Sequence, residues 1–200
     1  EPLYLRAYTI RQEKLGDIHL DTARSAVNLA AIYERQGKLV PAEKLYRHAL
    51  AVREKLLPTN HIDTTKVVSN LANLLENSKK PDLAEKLYRQ ALAMQIARAG
   101  ENSEEAANAY NELALFLQEQ NAFPQAEQAY QHALNILTRV LGADHLDTAS
   151  VASNLAGLYV EQEKWDKAEA VYQQILVIRL QALGADHALT RQTQKEVDVV

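Results

Sequence analysis

No cysteine occurs among the 200 residues, which excludes disulfides and thiolate metal sites and leaves the cellular compartment open. Long apolar runs are missing too. The longest, Leu113–Leu117, falls far short of the roughly 18 residues that span a bilayer, so no membrane insertion is expected. Glycine and proline are scarce, at six and five residues, and most fall between periodic segments. Aromatics make up only 6% of a chain that is 47% hydrophobic. Its apolar side chains are therefore chiefly Ala and Leu, a mixture that suits closely packed helices better than sheets. The net charge of −4 comes without the basic stripe that nucleic acid requires. No signal peptide is visible.

What the chain does have is a period. Tyr4, Tyr46, Tyr88, Tyr130 and Tyr172 are 42 residues apart. Ala42, Ala84, Ala126 and Ala168 keep the same interval, each followed by a glutamate, and so do Leu29, Leu71, Leu113 and Leu155, each followed by alanine. A stack of identical supersecondary units holds such a register, because every unit must present the same faces to its neighbours. The register divides the chain into a half unit at 1–14, full units at 15–56, 57–98, 99–140 and 141–182, and a closing segment at 183–200. One continuous repeat solenoid over 1–200 is expected. The start at Glu1-Pro2-Leu3-Tyr4 falls in mid-repeat, as if cut from a longer protein, and the polar stretch Arg191–Lys195 has the character of a terminal capping helix.

Each full unit reads as a connector, a first helix, a tight turn and a second helix. In the first unit these are Leu15–His19, roughly 21–36, Gln36-Gly37-Lys38 and roughly 40–55. The stripes Ala26, Leu29, Ala30, Tyr33 and Ala42, Leu45, Tyr46, Ala49, Leu50 have the spacing of amphipathic helices. Alanine at 42, 84, 126 and 168 lets the paired helices approach closely, and the tyrosine four residues on fills the wider gap. Asp21, Asp63, Glu105 and Asp147 fall where each first helix starts, positioned to cap or complement its positive end.

The pattern Ala26-x2-Leu29-Ala30-x2-Tyr33 followed by Ala42-x3-Tyr46 is similar to the tetratricopeptide consensus, with alanine in place of its Trp and Gly. The usual unit has about 34 residues, so this one is longer by about two helical turns. Unit four, with Leu141-Gly142-Ala143-Asp144-His145, Asn154-Leu155-Ala156-Gly157-Leu158-Tyr159, Gln162-Glu163-Lys164-Trp165 and Ala168-Glu169, resembles the kinesin-light-chain type of these repeats. The resemblance covers the whole chain. It implies an all-α fold, a right-handed superhelix of helix-turn-helix repeats. Its first helices would line a concave groove that takes a peptide or partner helix, without catalytic machinery or cofactor.

On the first helices, the positions between the core stripes carry the candidate ligand contacts. Asn28 recurs as Asn70 and Asn154, with Glu112 in unit three. Helical asparagine is poor for stability, but its amide offers a donor and an acceptor to a peptide backbone. Similar repeats use an asparagine here for that purpose. One turn earlier on the same face stand Arg24, Lys66, Asn108 and Ser150. Arg24-x3-Asn28 and Lys66-x3-Asn70 resemble the cation-and-amide clamp of carboxylate-binding tetratricopeptide domains. A ligand with an acidic segment near units one and two is the expectation. Unit three departs from the clamp, with Asn108, Asn111, Glu112 and Leu115, and Ser69 and Asn73 add polar groups beside Asn70. The alternative is that Arg24 and Lys66 are solvated and the asparagines bond neighbouring helices.

His19, His61, His145 and His187 share the register, three of them followed by Asp two residues on. Equivalent residues of successive repeats lie about a helix-packing distance apart, ~8–10 Å or more. Metal ligands at ~2 Å cannot be drawn from such a row, so a structural connector role is expected. Nothing resembles a nucleophile elbow or a phosphate-binding loop. Lys79-Lys80-Pro81 reads as a variant of the Gly37 turn, and Trp165 as turn packing. A non-enzymatic, cytoplasmic adaptor binding a protein or peptide is therefore the leading expectation. Self-association through apolar solenoid ends, or regulation of an attached domain, is the alternative.

Overall fold

The computed structural model describes all 200 residues, Glu1–Val200, as ten α-helices without a strand. These are α1 (Pro2–Leu15), α2 (Leu20–Arg35), α3 (Leu39–Leu56), α4 (Ile62–Asn77), α5 (Pro81–Ala99), α6 (Glu104–Glu119), α7 (Phe123–Val140), α8 (Leu146–Glu161), α9 (Trp165–Leu183) and α10 (Ala188–Val199). Helices α2, α4, α6, α8 and α10 start at residues 20, 62, 104, 146 and 188, and α3, α5, α7 and α9 at 39, 81, 123 and 165. Every start repeats at the interval of the tyrosines. The helices gather into two compact units, Glu1–Arg98 and Ala99–Val200, whose boundary coincides with the edge of a repeat.

Each second helix turns an alanine and a tyrosine into the core. Ala42, Ala84, Ala126 and Ala168 are wholly buried, and Tyr46, Tyr88, Tyr130 and Tyr172 are buried one turn further on. Three of these phenols also reach the end of the first helix. Tyr46 donates to Glu34 at 3.1 Å, Tyr88 to Glu76 at 2.6 Å and Tyr130 to the Gln118 carbonyl at 2.8 Å. Val160 occupies the equivalent position opposite Tyr172. Burial pushes the Tyr46, Tyr130 and Tyr172 hydroxyls above the ordinary phenol range, so they stay protonated donors.

The turn between paired helices has one conformation in all four repeats. Gly37, Lys79, Asn121 and Glu163 each take a left-handed φ, between 56° and 71°. In each case the residue and its successor bond back to the last turn, as Gly37 does to Glu34 at 2.9 Å and Lys38 to Tyr33 at 2.9 Å. This pairing satisfies carbonyls that the helix end leaves open. The Lys79-Lys80-Pro81 segment is thus the same turn as the glycine one and not a variant loop. Lys79 and Glu163 accept a conformation that costs a side-chain-bearing residue about 1–2 kcal/mol, because the helix pairing around them requires it.

Successive repeats are joined by a lysine of one turn and a glutamate at or near the start of the preceding second helix. Lys38 reaches Glu1 at 2.8 Å, Lys80 reaches Glu43 at 2.7 Å and Lys164 reaches Glu127 at 3.3 Å. The Lys80 bond, with Arg47 beside it, holds the Glu43 carboxyl below its usual range. Buried arginines, absent from the sequence reading, make a second tie. Arg53 on α3 donates to the Asp63 carbonyl at the start of α4, and Arg179 on α9 to Thr193 on α10. In the first unit Val68, Ala91 and Met94 form a small apolar cluster with Leu50 and Leu87 packed on it. In the second unit α6 packs on α7 and touches α8, which packs on α7 and α9, and α10 closes on α9.

Replacing Tyr130 with alanine removes a fully buried ring together with its bond to Gln118. The expected loss is about 3–5 kcal/mol of unfolding free energy. Thermal and urea melts measure it, and an unchanged midpoint would contradict the placement of this tyrosine in the core.

Candidate peptide-binding face

The first helix of each repeat is started by a histidine in all but one case. The ring Nδ1 of His19 accepts the Asp21 backbone N–H at 3.1 Å. His61 does the same for Asp63 at 3.1 Å, His145 for Asp147 at 3.2 Å and His187 for Leu189 at 3.3 Å. In the third repeat Ser103 takes the role, accepting from Ala106 at 3.1 Å. The acidic residues read as candidate caps therefore are not the caps. They sit in the first turn, where they complement the positive helix end, and the connector histidines satisfy the open backbone donors.

With the helix starts set in this way, the candidate residues fall on comparable positions. Arg24 on α2 is 63% exposed and pairs with Asp21 at 2.8 Å. Asn28, one turn on, is exposed. It borders a cleft of about 290 Å³ with Leu3, Tyr4 and Ala7 of α1 and with Arg11 and Ser25, which are themselves joined by a hydrogen bond. Lys66 on α4 is exposed and Asn70 half-buried. Asn73 is not free for a ligand, because its side-chain oxygen lies against the Tyr88 hydroxyl. Asn108 and Leu115 are exposed on α6.

Asn111 and Asn154 behave differently. The Asn154 amide donates to the Asn111 carbonyl at 2.9 Å, across from α8 to α6. This pair ties neighbouring first helices, as the alternative sequence reading has it, while each amide keeps further hydrogen-bonding capacity. The structure thus leaves Arg24, Asn28 and Lys66 exposed and Asn70 half-buried on α2 and α4, and links the other two to each other. The Tyr4 and Leu3 side of the Asn28 cleft is missing from the sequence reading, although Tyr4 shares the 42-residue register.

First helices of 16 residues, second helices of 18 or 19, one turn geometry and one buried alanine recur along the chain. A profile of the tetratricopeptide repeat matches residues 1–55, 26–97, 62–139, 105–181 and 147–196. The chain belongs to the tetratricopeptide repeat family. Among solved structures, BtubC (BKLC) from P. vanneervenii is similar over 99% of this chain and 80% of its own, with 26% identity and a TM-score of 0.80. A protein of Podosopora anserina, described as a putative kinesin light chain with nearly identical TPR-like repeats, is similar over 90% of this chain and 85% of its own. Its identity is 21% and its TM-score 0.76. A point variant of the same protein gives 21% and 0.76 over 87% of this chain and 82% of its own. These likenesses place the chain among all-α tetratricopeptide solenoids of the kinesin-light-chain type. No curated protein matches the chain. No helix is long and apolar enough to cross a membrane.

If histidine caps set the first helices of this tetratricopeptide array, His145→Ala should cost about 1 kcal/mol. His145→Asn, which restores a side-chain acceptor, should recover most of that loss. Urea melts of the two variants measure the difference, and equal midpoints would remove the ring from the capping role.

Proposed function

We propose that the chain is a non-enzymatic adaptor module that holds a peptide or partner segment in a concave groove lined by its first helices. Membership in a family whose repeats generally bind proteins supports the class of function. The observation that carries the reading is the pair of matched positions on α2 and α4. Arg24 and Lys66 are exposed cations, and Asn28 and Asn70 stand one turn beyond them with amides not consumed by the core. Such a cation and amide recognise a carboxylate and an adjoining backbone by charge and by paired hydrogen bonds. Asp21 partly neutralises Arg24, so Lys66 is the stronger attraction for an acidic segment.

Asn111 and Asn154 contribute on the second unit as a joined amide pair that offers its remaining donors and acceptors. The ligand is a protein or peptide with an acidic stretch. Nucleic acid is disfavoured by the net charge of −4, no cofactor takes part, and the module acts in the cytoplasm.

One observation favours a second reading, association between copies through an end of the repeat array. Helix α1 buries no residue, and Leu3 is 80% exposed beside half-exposed Tyr4, Leu5 and Ile10. A patch of this kind is a ready contact for another apolar face.

Capture from a lysate of the source organism, read by mass spectrometry, separates these readings. Wild type serves as one bait and the Asn28, Asn70 and Asn154 triple alanine variant as the other, with matched melts. The adaptor reading expects a protein retained by wild type and lost by a variant of unchanged stability. Equal capture by both baits would contradict the site, and recovery of the bait alone would favour self-association.

A further inference from the structure

The connector between α3 and α4 differs in sequence from its counterparts, and the threonine that follows it has an unpaired hydroxyl. Thr22 and Thr148, at equivalent positions, donate their hydroxyls to the carbonyls of Gly16 at 2.9 Å and Gly142 at 2.8 Å. Those glycines take φ of 84° and 103°, a region open to glycine. In the second repeat the equivalent residue is Pro58, whose ring fixes φ near −65°. Its carbonyl accepts the His61 N–H at 3.2 Å, as that of Gly142 accepts the His145 N–H at 3.4 Å, but takes no bond from the threonine. Thr64, only 4% exposed, holds a hydroxyl without a hydrogen-bond partner.

This threonine lines a cleft of about 530 Å³ between the connector, Glu54 of α3 and the stripe Ala93, Met94, Ala97 of α5. A cleft of the second unit, about 220 Å³, includes the equivalent Thr148 and has Ile178 in the place of Met94. Ala93 and Ala97 stand where α9 carries Val177 and Gln181. Pro58 in the connector and the small side chains at 93 and 97 set the cleft of the first unit apart. Buried polar groups are normally satisfied, and one left open beside an apolar cleft is a feature that a ligand completes.

We infer that this cleft binds an exposed segment of a partner protein bearing a bulky apolar side chain next to a lysine or arginine. The apolar side chain fills the space over Met94, Ala93 and Ala97, a flexible thioether and two small residues that adapt to its shape. A backbone carbonyl of the segment accepts the Thr64 hydroxyl. The basic residue meets Glu54, which is exposed at the rim and takes part in no ion pair. The surface lies on the second-helix side of the unit, apart from the row of Arg24, Asn28, Lys66 and Asn70. It would serve a second contact, independent of the one proposed above.

Met94 is the only methionine of the chain, so methyl-labelled methionine in the intact protein yields a single NMR reporter inside the cleft. The probes are acetyl-Phe-Lys-amide and acetyl-Phe-Glu-amide. The lysine probe is expected to move the Met94 resonance saturably at about 1–10 mM, and the glutamate probe to bind about tenfold more weakly. Thr64→Val, which keeps the shape, should weaken the lysine probe about fivefold without lowering the melting midpoint. Ala97→Gln, which copies the other repeat, should abolish the response. A Met94 resonance that stays put up to about 20 mM probe, or that moves alike in wild type and both variants, would overturn the inference.

Discussion

Each second helix carries an alanine that solvent does not reach, where a small side chain lets the paired helix come close. Ala42, Ala84, Ala126 and Ala168 are all fully buried, and the rest of the architecture follows from keeping that contact at a constant interval. A larger side chain there would push the helices apart, since packed interiors have no room to absorb extra methylenes. Close contact at the alanine in turn creates the wider gap one turn later, which the tyrosine fills. In three repeats its hydroxyl then finds Glu34, Glu76 or Gln118 on the partner helix. The glutamate that follows each alanine looks the other way. Glu43 and Glu127 receive the lysine of the next turn, so one short segment fixes both the pair and its neighbour.

A repeat held in this way spends its apolar residues on helix-to-helix contacts and leaves the remaining faces to recognition. On the first helices, histidine caps at the connector set where each helix begins, and therefore which side chains stand one turn apart on the outer face. Arg24 with Asn28 and Lys66 with Asn70 are products of that phase. The same logic explains the Asn154–Asn111 bond, because α6 and α8 in the second unit come into contact. Departures from the repeat are where single repeats acquire properties of their own. Pro58 in place of glycine, and alanine at 93 and 97, reshape one cleft while the alanine contact of that repeat is kept.

Much of the fold is legible in the sequence because the repeat multiplies weak signals. A single Ala-x3-Tyr pair says little, but four of them at one interval set the spacing of every helix start in the structure. The histidine row reads as part of the connector and not as caps, because the carboxylates two residues on are the commoner signal at a helix start. The left-handed turns at Lys79 and Glu163 are hidden, since neither residue advertises that conformation and only the glycine and asparagine of the other repeats do. Arg53 and Arg179 give no signal because charged side chains near helix ends usually face water. On the candidate face, the residue types point to Arg24, Asn28, Lys66 and Asn70. That Asn111 and Asn154 meet depends instead on the spacing between first helices, which no residue spacing within one repeat reveals.

The alanine contact can be tested inside one helix. Ala168 is fully buried and Ala170, two residues on in α9, is exposed. Urea melts of Ala168→Leu and Ala170→Leu compare the same change of side chain on opposite sides of the helix. Ala168→Leu is expected to lose about 1–3 kcal/mol, and Ala170→Leu to stay within about 0.5 kcal/mol of wild type. Equal stability of the two variants would contradict the account at its central point, because the alanine would then not be what sets the distance between the helices.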